Sequence, residues 1–162
     1  MKKFIILIFT LISISCSYSV YSGRFPNMKT IKIERFENKT VQYELDEELL
    51  SYLSSEFIKD GRLKLVEKNP DSLLKGKILN YKNEVYTYSN EIVKQYKLTI
   101  IFEVEFWNLN ENKVIWNEDK LELSKIYQPD ENNDLQAAEE NARKQIYEDL
   151  FSKILSNTIE EW

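Results

Sequence analysis

Cys16 is the only thiol in the chain. It follows two lysines, Lys2 and Lys3, and an apolar run from Phe4 to Leu11 that continues as Ile12-Ser13-Ile14-Ser15. A positive start, a short apolar stretch and a small residue before a cut site are the parts of a secretion signal, and this run is too short to span a bilayer. A cysteine placed first after the cut is what lipoprotein processing requires, because its thiol receives a diacylglycerol before the signal is removed. The acyl chains so added are of the palmitate type. Ser15 is the small residue before Cys16, and Ser13 stands where leucine is more usual. The competing reading is an ordinary secretion signal with an incidental cysteine near its end. On the lipidation reading, residues 1–15 are removed, 16–28 form a lipidated tether and 29–162 form a single domain.

Little other chemistry is available. The chain has no histidine, and its one thiol is assigned to the lipid, so Ser-His and Cys-His nucleophilic sites and the common zinc sites are excluded by inventory. Three glycines, Gly23, Gly61 and Gly76, cannot supply the spacing of a dinucleotide or phosphate loop. Glu103 and Glu105 form a carboxylate pair, but at i and i+2 of a strand they read as solvated side chains on one wet face. Asp130, Glu131 and Asp134 share the charge of a calcium loop without its glycine or terminal glutamate. No catalytic residue, metal or cofactor is expected, and the chain does not read as an enzyme.

Charge narrows the partners. There are 27 acids against 22 bases, and loss of Lys2 and Lys3 takes the mature chain to about −7, which argues against nucleic-acid binding. The imbalance is uneven: residues 103–162 hold 15 acids and 6 bases. In contrast, Lys59, Arg62, Lys64, Lys68, Lys75, Lys77 and Lys82 face few acids in sequence. They form a local basic patch, or simply keep strand surfaces and edges wet.

The elements that must carry these residues follow from periodicity. Thr30 to Phe36 alternates as a half-buried strand until Phe36 breaks the register. Leu45, Leu49, Tyr52, Leu53 and Phe57 fall at helical spacing, with Asp46, Glu47 and Glu48 at the positive end of the helix dipole. That helix stops at Asp60-Gly61. Leu63 to Val66 is a short strand. Leu74, Gly76 and Ile78 share one face of a longer strand that continues through Tyr81, Tyr86 and Tyr88 to a turn at Ser89-Asn90-Glu91. From Tyr96 to Phe106 every second residue is apolar, Ile101 being the exception on the other face. Val114 and Trp116 begin a returning strand whose parity differs from that of Leu121 and Leu123, so a bulge is expected between Asn117 and Lys120. Asp134 caps a last helix striped by Leu135, Ala138, Ala142, Ile146, Leu150 and Ile154. Strand, helix, a meander of strands and a helix, each with one apolar side, describe an α+β two-layer sandwich: two helices packed on one face of a mixed, roughly four-stranded sheet.

The ordered set of segments resembles the LPS-assembly lipoprotein family (LptE). It begins with Cys16-Ser17-Tyr18 and Phe25-Pro26, then runs through Ile31-Lys32-Ile33-Glu34-Arg35-Phe36-Glu37-Asn38, Asp60-Gly61-Arg62-Leu63 and Asp71 to Ile78. Gln95 to Leu98, Lys113 to Trp116 and a closing helix with Ala137-Ala138 and Asn141-Ala142 complete it. The resemblance implies a non-enzymatic outer-membrane lipoprotein facing the periplasm. It would be lodged as a plug and assembly partner in an LptD-type β-barrel, blocking leakage and contacting lipopolysaccharide in transit. Ser17 after Cys16 agrees with sorting to the outer membrane. Family lipid contacts lie on the central hairpin and the loop before the last helix. Here the hairpin tip is Ser89-Asn90-Glu91 with Lys94 as nearest base, and the loop carries Asp130, Glu131 and Asp134. The chain departs from the family there, since these acids would repel the phosphates of the ligand; the candidate lipid contacts are Lys75 and Lys77 of the Lys59 to Lys82 patch, with Lys94. The alternative is a free-standing periplasm-facing lipoprotein that regulates cell-wall synthesis or a secretion channel.

Overall fold

The computed structural model describes residues 28–89, 92–129 and 134–159, with backbone alone at 88–89 and 92–94. The signal segment, Cys16 and the tether to residue 27, the turn residues Asn90 and Glu91, and Asp130 and Glu131 lie outside the described residues. The order is β1 (Thr30–Ile33), β2 (Glu37–Asn38), α1 (Leu45–Asp60), β3 (Lys64–Leu65), β4 (Ser72–Ser89), β5 (Ile92–Asn108), β6 (Lys113–Tyr127) and α2 (Leu135–Thr158). The strands lie in the sheet as β3-β1-β4-β5-β6, with β2 also paired to β4. β1 runs parallel to β3 and β4, and β2 parallel to β4, while β4–β5 and β5–β6 are antiparallel. Two helices pack against this mixed sheet as the sequence predicts. The sheet has six strands rather than about four, because the first segment is split at Ile33 and β2 and β3 add two residues each.

Strand β5 sets the layers. Leu98, Ile100, Phe102, Val104 and Phe106 are fully buried, each contributing about 1.5–3 kcal/mol by leaving water. The facing stripes are Leu45, Leu49, Leu53 and Phe57 on α1, and Ala138, Ala142, Ile146, Leu150 and Ile154 on α2. Tyr147 and Leu155 widen the α2 stripe, letting that helix touch α1 as well as the sheet. Phe57 meets Phe151 edge-on at 5.0 Å, and Tyr52 meets Tyr147 at 5.7 Å. Gly61 ends α1 at φ 71°, its N–H donating to the Phe57 carbonyl at 3.1 Å. Asp134 caps α2 by accepting from the Ala137 N–H at 2.9 Å.

Of the five register shifts along β4, β5 and β6, three lie in the body of the sheet. Glu118 lies opposite Val104 and Leu121 opposite Phe102, so Asp119 and Lys120 together face Glu103, the bulge that the parity change requires. Ile115 is a second extra residue on β6, between Trp116 opposite Phe106 and Val114 opposite Trp107. A third, at Leu79–Asn80, carries no signal in the hydrophobic pattern. It turns Tyr81 and Asn83 toward the helices, opposite Ile100 and Leu98.

Phe36 leaves the strand because it has a place to go. Its ring is 2% exposed and lies over Gly76, where an added Cβ would come within 2.6 Å of the ring and 2.2 Å of the Glu103 carbonyl oxygen. At the opposite end of β1, the Asp71 carboxylate accepts from the Lys29 N–H at 2.9 Å, the Thr30 N–H at 3.0 Å, the Thr30 hydroxyl at 2.8 Å and the Asn110 amide at 3.1 Å. It thereby ties β1 to the start of β4 and to the β5–β6 turn.

Gly76→Ala is expected to destabilise the fold by about 2–3 kcal/mol through overpacking, read as a lower midpoint in urea. The Lys29 N–H, followed by Asn110 and Thr30, holds the Asp71 carboxyl below its ordinary 3.8. Its stabilisation is therefore present above pH 3.8 and is lost as pH falls through the lower folded-state value. Asp71→Asn is expected to cost about 1–2 kcal/mol at neutral pH and to flatten the acid limb of a stability-against-pH curve.

Candidate functional site

With the helices on one side, the described residues leave uncovered the other sheet face, the hairpin ribbon and the seam between the helices. β6 ends at Tyr127, opposite and stacked on Tyr96 at 5.5 Å. Past Val85, the β4–β5 hairpin is a two-stranded ribbon, pairing Thr87 with Gln95, Tyr88 with Val93 and Ser89 with Ile92. Two strands alone are marginal in water, and Val85 and Tyr86 on this ribbon are exposed.

A chain of polar contacts fixes where the ribbon leaves the body. The Arg143 Nε lies 2.8 Å from Glu48 Oε2, joining the two helices. Its Nη1 donates to the Tyr81 hydroxyl at 3.5 Å, and that hydroxyl donates to the Glu139 carboxylate. Asn83 Nδ2 donates to Glu139 Oε2 at 2.9 Å and to the Tyr127 hydroxyl at 2.6 Å. Burial, then the bond to Glu139, pushes the Tyr81 hydroxyl well above the usual phenol range. Burial does the same to Tyr147 and, less strongly, to Tyr127. Burial pulls Arg143 down, yet its bonds to Tyr81 and Glu48 leave it above the ordinary arginine value. These phenols keep their protons near neutrality and the guanidinium keeps its charge, so the network positions elements.

On the uncovered face, Lys75 and Lys77 of β4 stand in register with Glu105 and Glu103 of β5. Lys75 Nζ is 3.1 Å from Glu105 Oε2 and 5.2 Å from the centre of the Trp107 ring. The Trp107 indole N–H donates to the same glutamate at 2.8 Å. That bond, with Lys75 next, holds the Glu105 carboxyl below its ordinary range. Lys77 Nζ is 2.7 Å from Glu103 Oε1, which raises its pKa. Lys94 lies on β5, and its side chain is outside the described residues. The structure thus brings Lys75 and Lys77 together on one face, each beside an acid. The other bases of the sequence patch disperse: Lys59 pairs with Glu56, Arg62 with Asp60 and Lys82 with Glu84. Sequence reasoning missed the Arg143 network altogether. Tyr81 and Glu139 are 58 positions apart, and only the Leu79–Asn80 bulge aims one at the other.

A model of the LptE lipopolysaccharide-assembly family matches residues 28–158, whereas no curated protein matches the chain. Solved structures share the fold at low identity. A protein from Xanthomonas campestris is 11% identical with a TM-score of 0.60, over 82% of this chain and 89% of its own. A hypothetical protein of Chlamydia trachomatis is 10% identical at a TM-score of 0.55, over 80% and 94%. An uncharacterized lipoprotein B from Nitrosomonas europaea is 16% identical at 0.53, over 79% and 80%. Since the family model runs from the first described residue, Met28, to the last residue of α2, the chain belongs to the LptE family of non-catalytic lipopolysaccharide-assembly lipoproteins.

Proposed function

We propose that the mature protein is the periplasm-facing, lipid-anchored subunit of an outer-membrane lipopolysaccharide translocon, acting as plug and assembly partner of an LptD-type β-barrel. The observation that carries this reading is the family match over 28–158, which takes in every layer of the fold. The exposed two-stranded ribbon supports it, since a marginal element gains order when a partner covers it. Cys16 is the proposed anchor: one acyl chain binds a membrane only marginally, and a diacylglycerol supplies two.

Tagged mature protein, extracted in mild detergent, is expected to bring down a large outer-membrane barrel in near-equal amount. Cys16→Ala is expected to lose palmitate labelling and to appear in the soluble periplasmic fraction. Wild-type protein that purifies without any barrel rejects the reading.

Lys75, Lys77 and Lys94 are proposed as the lipid contacts. A phosphate reaching Lys75 or Lys77 exchanges with Glu105 or Glu103, so the acids compete with the lipid. Glu103→Gln with Glu105→Gln is therefore expected to raise lipopolysaccharide retention several-fold in a filter assay, and unchanged retention removes these two lysines from the contact.

A further inference from the structure

The end of the sheet at which β1 and β4 begin carries charge that the fold does not absorb. β1 and β4 start side by side, Ile31 next to Ser72. β5 ends and β6 starts there too, with Asn108 opposite both Ser72 and Lys113. Lys29, Lys32, Lys64, Lys68 and Lys113 gather around this end, all but Lys32 fully exposed, and none sits in an ion pair among the described residues. The other lysines in that state, Lys97, Lys120, Lys144 and Lys153, are spread over β5, β6 and α2. Acids oppose the cluster weakly. Asp71 is committed to the Lys29 and Thr30 N–H groups and to Asn110, which leaves exposed Glu67 and Glu111, with Glu34 just past β1. In a chain of 27 acids and 22 bases, this end is positive.

Apolar side chains share the same corner. Lys32 lies beside Leu73, Leu73 opposite Trp107 and Trp107 opposite Val114, a row across four strands on the face that no described helix covers. Leu73 and Trp107 are half-buried, Val114 is 36% exposed, and Leu109 in the adjoining turn is 38% exposed. The chain also enters the fold here. Met28, buried just before β1, is twelve residues on from Cys16, at most about 40 Å of extended chain. The far end of β4, eighteen residues long, lies about 60 Å away.

We propose that this corner rests on a phospholipid surface, its lysines against anionic headgroups and Trp107, Val114 and Leu109 at headgroup level, so that the lipid on Cys16 and the folded body hold one leaflet together. Tryptophan favours the membrane interface and lysine can lay its stem along it. A basic cluster near an anchor is drawn to anionic lipid, and two weak attachments on one chain reinforce each other through high effective concentration. A protein partner is disfavoured, because four apolar side chains fall short of the about 800 Å² per side of a stable interface. The inference rests on the preceding reading only for the anchor at Cys16.

Two label positions decide it. Lipidated mature protein carries a fluorophore on Asn117→Cys, close to the row, or on Ser124→Cys, further along the same face toward the ribbon. With Cys16 acylated, the new thiol is the only free one. Each protein is inserted into vesicles of phosphatidylcholine with about 30% phosphatidylglycerol and a headgroup-nitroxide lipid as quencher. The label at 117 is expected to be quenched at least twofold more than the label at 124. That difference should fall by half or more without phosphatidylglycerol, in about 0.5 M salt, and on joint replacement of Lys29→Gln, Lys64→Gln, Lys68→Gln and Lys113→Gln with the thermal midpoint unchanged. Equal quenching at the two positions, or a difference indifferent to lipid charge, salt and these lysines, overturns the proposal. A difference that appears only when lipopolysaccharide is added to the vesicles assigns the corner to that lipid and overturns it as well. Palmitate labelling of the same preparation reports the anchor separately. If Cys16 carries no lipid, the anchor reading falls, and the same two labels on the Cys16→Ala chain, with vesicles in excess, decide the corner alone.

Discussion

A single apolar face on β5 governs how the whole chain is arranged. Five consecutive inward side chains from Leu98 to Phe106 are withdrawn from water, while the outward ones include Glu103 and Glu105. A sheet with one apolar side and one charged side can accept helices on only one of its faces. Both helices consequently share that face and must touch each other, which creates the seam occupied by Phe57, Phe151, Tyr52 and Tyr147. The outward face is held by cross-strand pairs, Lys75 with Glu105 and Lys77 with Glu103, and no helix among the described residues covers it. The available surfaces therefore descend from this one asymmetry.

Much of that arrangement is legible in the chain, and its limits have physical causes. The period of two in β5, the stripe on α2, the Asp134 cap and the Gly61 stop are local, and local patterns report directly on local structure. The change of parity between Trp116 and Leu121 even discloses a bulge, because apolar residues on both sides of it must face one core. The bulge at Leu79–Asn80 leaves no such trace: Tyr81 and Asn83, on its far side, are polar enough to suit either face. The short strand β2 exists because β4 offers it backbone partners, not because two residues prefer to be extended, whereas β3 falls inside the strand read at Leu63 to Val66.

The candidate site was less accessible to sequence reasoning for the same reason. Lys75 and Lys77 read as a basic patch when only neighbours in the chain are counted, and their acids arrive from the next strand. Arg143, with Glu48 on one side and Tyr81 on the other, draws on three elements brought together by the core. The lipid anchor proposed at Cys16 rests on its flanking sequence alone, and that residue lies outside the described residues.

The two extra residues of β6 bear on how the sheet ends. β6 closes one side of the sheet, and its fifteen residues would otherwise offer an unbroken ladder of free N–H and C=O groups to any extended chain nearby. Ile115 and the Asp119–Lys120 pair interrupt that ladder at two places and add local twist, and Lys120 sets a charge where an adjoining strand would lie. The longest uninterrupted stretch, Leu121 to Tyr127, is braced from above by Lys125 reaching Asp149 of α2 at 2.9 Å. The edge is thus shaped to discourage sheet-to-sheet association of one copy with another.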